Sequence, residues 1–407
     1  MYNLNNYIIL IKGNLFFIMD TENQNFVDSN PKRYKIGNII EITKLNLRKK
    51  IIIQNKNIKF LFFISIMALI LLVILFNTDN KEKKKFFGKI KVNNYVELPE
   101  VSFQEFNERV LHEINMLQME FCSNQSKYIK YNFENEIKLA KASLLNKNYY
   151  MYIYKDQDIV SYYINLVNNY EATETKKIIK ALDYYSSLKN ISNDDIYILD
   201  IGANIGWYTF FFGKCGYHVL SFEPSDVNIY ILRKNFCLNP NVNITLIKKA
   251  LYTYEKKCDY YEHKGNIGNG LILCDNNPNI KEEYIKTGET YLTKLSNYIE
   301  FLSTKNLVFI KMDIEGSEGK AFESGIELIS KYHVPFIFLE FTPKLLKLHE
   351  FEPIKFLEMF EMNGYKFTKT NYFDKNYYTK EEIMEKAKSV AINLFIIHSN
   401  IYKYRKE

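Results

Sequence analysis

The chain has 407 residues, with 54 Lys and Arg against 47 Asp and Glu and a formal net charge of +7. Hydrophobic residues make up 47% and charged ones 25%, the balance of a chain that buries a core, so wholesale disorder is excluded. With 15 Gly and 8 Pro, collagen-like and Pro-rich classes are excluded too, and a mild, dispersed positive charge gives no ground for a nucleic-acid partner.

The length predicts two or three modules, or one large α/β domain with extensions. Residues 1–59 are Asn/Lys-rich without sustained period and read as a disordered tail. Tyr7–Met19 is apolar there, but Lys12 and Gly13 break it and it is too short to span a bilayer. Met19 opens a more ordinary polar terminus and is an alternative translation start. Phe60 to Phe76 is an uninterrupted apolar run with one Ser and no charge, which predicts a transmembrane helix over 60–76. Its short span suits a thin ER or Golgi bilayer. Five basic residues on each flank leave orientation tied under the positive-inside rule. Sequons at Asn124, Asn190 and Asn243 suit a lumenal domain, although an Asn-rich chain produces such triplets by chance. Residues 77–147 read as a basic linker and helical stalk, with helical spacing from Ser102 to Leu145.

Tyr149–Tyr154 then reads as a strand and Glu171–Leu188 as an amphipathic helix. From Ile196 a regular alternation begins. Strands are predicted at 196–199, 219–222, 244–247, 307–312, 336–339, 365–368 and 392–397. Helices are predicted at 207–214, 226–235, 319–331 and 353–363. Continuous apolar strands joined by helices predict an α/β fold, a mostly parallel sheet covered on both faces. In such sheets a ligand sits at the carboxyl ends of the strands. The five cysteines form no CxxC pair and no Cys/His cluster, so no structural zinc is predicted. Their odd count and wide spacing read as no disulfide framework, and the redox compartment stays open. The 33 Tyr and 30 Phe read as coding bias rather than as a binding surface.

The strand ends carry the chemistry. After the first strand of the alternation stands Asp200-Ile-Gly-Ala-Asn-Ile-Gly206. Counted from Gly202, the second and third glycine positions of a dinucleotide fingerprint hold Asn204 and Trp207, so that reading fails. After the second strand comes Glu223, an acid at the distance from the glycines that a ribose diol requires. After the fourth comes Lys311-Met-Asp313-Ile-Glu315-Gly-Ser-Glu318, and after the fifth Glu340. Glu318 is simplest as a helix-dipole partner, while Asp313 and Glu315 are placed to face the ligand crevice.

The pieces DIGANIGWYTFFF, SFEPS, FIKMDIEGSE and FLEF, in this order and spacing, closely resemble the FkbM family of S-adenosylmethionine (SAM) dependent methyltransferases. The resemblance covers residues 148–398. It implies a class I methyltransferase (Rossmann-like) fold, with SAM held by Asp200, Gly202, Asn204, Gly206, Glu223 and Ala250. It also implies that Asp313 and Glu315 serve the methyl acceptor, and that the acceptor is a hydroxyl. The stretch Gly265–Gly270 looks like the family's Asn/Gly loop but departs from its tandem-Gly form, and a plain Asn-Gly hairpin turn is its alternative. His263 beside it is an alternative base. Asp313, Glu315 and Glu340 are hard-oxygen candidates for Mg²⁺, but no metal is assigned and metal dependence stays open.

Together these readings predict a membrane-tethered O-methyltransferase. Its acceptor would be a hydroxyl of a glycan, glycoconjugate or small molecule, and its catalytic domain would lie in the ER or Golgi lumen. Two alternatives stay open: methylation of a lipid or metabolite at the cytosolic face, and an inactive SAM-fold membrane scaffold. Residues 399–407 read as a short C-terminal tail, and the oligomeric state is not legible.

Overall fold

The computed structural model describes residues 7–11, 14–18, 100–128, 133–156, 158–264, 266–274 and 283–402. The chain divides into two units, residues 1–83 and 84–407. In the first, β1 (Tyr7–Ile11) and β2 (Asn14–Ile18) pair antiparallel, where a disordered tail was expected. The expected transmembrane helix 60–76 and the linker before residue 100 lie outside the described residues. Among the described residues no helix is long and apolar enough to cross a membrane.

The second unit is built on an eight-stranded sheet. Its strands are β5 (Ile196–Ile201), β6 (His218–Phe222), β7 (Ile244–Ile247), β12 (Asn306–Met312), β13 (Phe336–Phe341), β14 (Tyr365–Thr368), β15 (Tyr377–Tyr378) and β16 (Ile392–His398). Across the sheet the order is β15-β14-β16-β13-β12-β5-β6-β7. From β7 to β13 all pairings are parallel, while β16 runs antiparallel to both β13 and β14. The sheet is therefore mixed at one edge rather than uniformly parallel. This is an α/β sheet with helices on both faces. Its order reverses between β5 and β12, and the crevice at that switch point is where such sheets bind ligands.

Alternation along the buried strands sends side chains to two cores. Ile196 and Ile198 of β5 face one core, with α3 (Ala172–Lys189), α4 (Trp207–Lys214) and α5 (Asp226–Leu238). Leu199 and Ile201 face the other, with α6 (Ile299–Ser303), α7 (Glu318–Glu323), α8 (Ile326–Ser330) and α10 (Pro353–Met362). The single helix expected over 319–331 is two, broken at Ser324-Gly325, where a Cβ on Gly325 would stand 2.6 Å from the Leu295 side chain.

The expected helical stretch 102–145 is helical over α1 (Glu108–Ser123), and Ile137–Leu144 is a strand, β3. It pairs with β4 (Lys147–Tyr154) around Leu145 and Asn146, both at positive φ (48° and 62°), the backbone of a two-residue hairpin turn. Helix-compatible Lys, Ala and Leu are overruled here by pairing. This segment does not stand off as a stalk. Val110 and Ile114 of α1 enter one core, and Phe121, Ile137 and Leu144 enter the other.

Two disulfides correct the cysteine reading. Cys122 at the end of α1 bonds Cys237 in α5, 115 residues away, and Cys258 bonds Cys274. Only packing brings such distant positions together, so spacing could not reveal them. Cys258 lies in β9 (Lys257–His263), and Cys274 directly follows β10 (Asn266–Leu273). With β8 (Ala250–Leu251) and β11 (Tyr284–Thr293) these strands form a second sheet of order β10-β9-β11-β8. The Asn/Gly stretch is thus the strand β10, not a hairpin turn.

Candidate active site

A cavity of about 250 Å³ opens at the switch point. Its floor is the end of β5 and the turn after it. Gly202 has φ +82°, and a Cβ there would stand 1.9 Å from the Asp313 carbonyl oxygen, so only glycine fits. The amides of Gly202 and Ala203 both donate to the Phe222 carbonyl at 3.0 Å, and Asp313 N donates to Ile201 O at 3.1 Å. These bonds stitch together the ends of β5, β6 and β12. Beneath them the buried Lys311 Nζ donates to Gly202 O at 2.8 Å and lies 3.8 Å from carboxylate oxygens of both Asp200 and Asp313. Burial works to lower this ammonium, but Asp313, Asp200, Glu171 and Glu223 outweigh it and hold the group above its ordinary value.

Of the residues predicted to hold the cofactor, Gly202, Asn204, Glu223 and Ala250 line the cavity. Asp200 and Gly206 lie behind the wall. Asp200 is fully buried, accepts from Thr209 Oγ1 at 2.6 Å and anchors Lys311. Gly206 caps α4 at φ +96° against Phe210 and Leu232. Both shape the turn without facing the ligand space.

Glu223 is buried at the cavity edge. Its Oε2 accepts from Asn204 N at 2.8 Å, and its Oε1 accepts from Ser225 N at 2.9 Å and Asn228 Nδ2 at 3.3 Å. Three of about four acceptor sites are thereby filled, which leaves Oε2 able to take one ligand hydroxyl rather than both of a diol. Burial raises its carboxyl to about 7 against the pull of those donors. The Asn204 side-chain oxygen is buried with no hydrogen-bond partner, an acceptor pointing to a donor that the protein itself does not supply.

The second sheet forms the opposite wall through Tyr260, Asn266, Gly268, Gly270 and Ile272. A Cβ on Gly270 would meet the Tyr260 hydroxyl at 1.8 Å, so β10 can lie this close only as glycine. Sequence reading singled out these glycines without their purpose, which is close approach.

The turn after β12 and the end of β13 with the segment beyond it add Asp313, Ile314, Glu315, Ser317, Glu340 and His349 to the lining. Glu315 has φ +54° in the turn that starts α7, an uncommon backbone state for a non-glycine residue. Glu318, buried, accepts from Ile314 N at 2.9 Å and so braces that turn from within; burial lifts its carboxyl to about 7. Burial and then the Asp313 charge raise Glu315 and Glu340 as well, with Glu340 adding to the first and Glu171 to the second. His349, between α9 (Pro343–Leu348) and α10, has Nδ1 3.4 Å from Ser317 Oγ, and burial holds its imidazole below the ordinary value. No motif marked it; its one signal was its position after the fifth strand of the alternation. His263 does not line the cavity and instead lies 3.7 Å from a Glu283 oxygen. Among the described residues no group of three or more His, Cys, Asp or Glu is placed to hold a metal ion.

A glycine turn, an acid at the next strand end and a cavity at the switch point suit a ligand with a nucleoside part. Residues 200–367 match the family model described as the Methyltransferase FkbM domain. This region is a SAM-dependent methyltransferase domain, and its cofactor is S-adenosyl-L-methionine. No curated protein matches the chain by sequence. Similar solved structures include the T. Thermophilus 16S rRNA N2 G1207 methyltransferase RsmC, at 10% identity over 64% of this chain and 50% of that one, with a TM-score of 0.32. WbdD matches at 12% over 55% and 39%, with 0.30. The Synechocystis PCC 6803 magnesium protoporphyrin IX methyltransferase ChlM matches at 9% over 70% and 97%, with 0.29. The chain spans half or less of the length of the first two, and at these scores none bears on the substrate.

Proposed function

We propose that the protein is an O-methyltransferase of the secretory pathway, tethered to the membrane by residues 60–76, that methylates a hydroxyl of a glycan or glycoconjugate. The observation that carries the chemistry is His349 beside Ser317 in the cavity lining. Bound SAM supplies an electrophilic methyl group. The chain must orient an alcohol in line with it and remove one proton as the oxygen–carbon bond forms and the carbon–sulfur bond breaks. His349, kept neutral by burial, has a lone pair for that proton at neutral pH. Asp313, half exposed in the cavity wall and near Lys311, is the anchor for acceptor hydroxyls. On the cofactor side Glu223 accepts a ribose hydroxyl, and the orphaned Asn204 oxygen fits the ammonium of the methionine part.

Two disulfides favour an oxidising compartment, and Asn124, Asn190 and Asn243 are all exposed, as glycan acceptors must be. The test is calorimetric titration of SAM into the full chain, followed by transfer of labelled methyl to glycan and glycolipid extracts. Labelled methyl recovered as an ether supports the reading. SAM binding without transfer to any extract would turn it toward the inactive scaffold.

A further inference from the structure

The cavity mouth carries a surface that the chemistry above does not use. Helix α2 (Ile159–Val167) buries Val160, Ser161 and Ile164 and turns Ile159, Tyr162, Tyr163, Leu166 and Val167 outward, each 43% to 60% exposed. No charged residue occurs from residue 159 to residue 170, in a chain that is 25% charged. The patch is continuous with the active site, because Ile159, Val160 and Tyr170 line the cavity and the rings of Tyr163 and Tyr170 are 6.2 Å apart. Large exposed aliphatic groups beside tyrosines, on a short helix with one apolar face already in the core, suit the headgroup–acyl boundary of a bilayer.

We infer that α2 docks on the membrane surface, so that the cavity takes its acceptor hydroxyl from a molecule embedded in that bilayer. The inference rests on the tether in the reading above. Residues 77–99 separate the apolar run from the first described residue of the second unit, and even fully extended such a segment reaches at most ~80 Å. A domain held that close needs little affinity to dock. Ile159, Leu166 and Val167 offer nothing to a free, water-soluble sugar, whereas an embedded acceptor is delivered where they sit.

The test uses the full chain reconstituted in phosphatidylcholine liposomes containing brominated lipid. Tyr163→Trp and Leu166→Trp are compared with Met362→Trp, a control at a position 77% exposed on α10. The one native tryptophan, Trp207, is buried and gives a constant background. At interface depth the two α2 probes are expected to lose about half of their fluorescence while the control keeps its own. Unquenched α2 probes, or equal quenching of all three, would overturn the docking. A Leu166→Asp variant that halves the molecular mass in detergent, with α2 probes unquenched, would give the patch to a second copy instead. Alkaline carbonate extraction reads the tether separately: release of the chain from liposomes removes the tether, whatever the quenching shows.

Discussion

At the residue scale the proposed reading gives Glu223 to the cofactor and His349 to the acceptor, and single substitutions should respect that division. Glu223→Ala removes a carboxylate that three protein donors already pre-position. Losing one charged hydrogen-bond partner is expected to weaken SAM binding about 10- to 100-fold by titration. Unchanged affinity would remove Glu223 from the cofactor site. His349→Asn should do the opposite, lowering kcat by about 10²–10⁴-fold with SAM affinity intact. In the wild type kcat should be flat across neutral pH and fall only in acid, as His349 becomes protonated below its ordinary range. An acidic limb that persists in His349→Asn would assign that proton to another group. Legibility at this scale followed motif density. Gly202, Asn204, Glu223, Ala250, Asp313 and Glu315 could be named because they stand at strand ends within recognisable patterns, and all six line one cavity. His349 stands in an unpatterned loop and is brought in only by the packing of α9 and α10. The roles of Asp200 and Gly206 were misread because a motif does not say which members face the ligand and which face the core.

At the element scale the alternating strands and helices from 196 to 398 were readable because each is a short apolar run bounded by a turn. The second sheet was not. Strands β9 and β11 carry Lys257, Asp259, Glu262, Lys286 and Glu289, and β10 opens with Asn and Gly, so they lack the continuous apolar signature of buried strands. The Cys258–Cys274 disulfide reinforces the antiparallel pairing of β9 with β10, and these two strands supply Tyr260, Gly268, Gly270 and Ile272 to the cavity. The other disulfide closes a long loop between α1 and α5 and touches no cavity residue. The two should therefore differ in what they protect. Cys122→Ser with Cys237→Ser is expected to cost about 2–5 kcal/mol of stability, seen as a lower Tm, with SAM affinity retained once folded. Cys258→Ser with Cys274→Ser should loosen the wall and weaken SAM binding, with a smaller fall in Tm because the closed loop is short. If both pairs lower Tm alike and neither changes affinity, the second sheet has no part in closing the site.

At the scale of the whole molecule the site is a concentration of buried acid. Glu223 and Glu318 are raised to about 7 and Glu262 to about 8, each by burial first, and Asp158, Asp200, Glu171, Glu315 and Glu340 are raised as well. A carboxyl whose folded value lies above its unfolded value near 4.5 binds its proton more tightly when folded. Its contribution to stability is complete below about 4.5 and is lost as pH rises through the folded value near 7 to 8. Lys311, also raised, keeps its contribution throughout this range, and His349, lowered, subtracts as pH falls from its unfolded value near 6.5 toward its folded one, one group opposing many at pH 6. The ligand-free protein should thus unfold at a higher temperature near pH 6 than near pH 8.5. The difference should amount to several kcal/mol of stability, because each tenfold gain in a carboxyl's proton affinity on folding is worth about 1.4 kcal/mol. A flat profile would mean that these groups remain solvated. SAM reverses the balance, because its positive charge favours ionised neighbours. Its binding at pH 6.5 should release protons, so the calorimetric enthalpy should change with the ionisation enthalpy of the buffer. Glu223→Gln should reduce that release. An enthalpy independent of buffer would show that the carboxyls around the cavity are already ionised before the cofactor arrives.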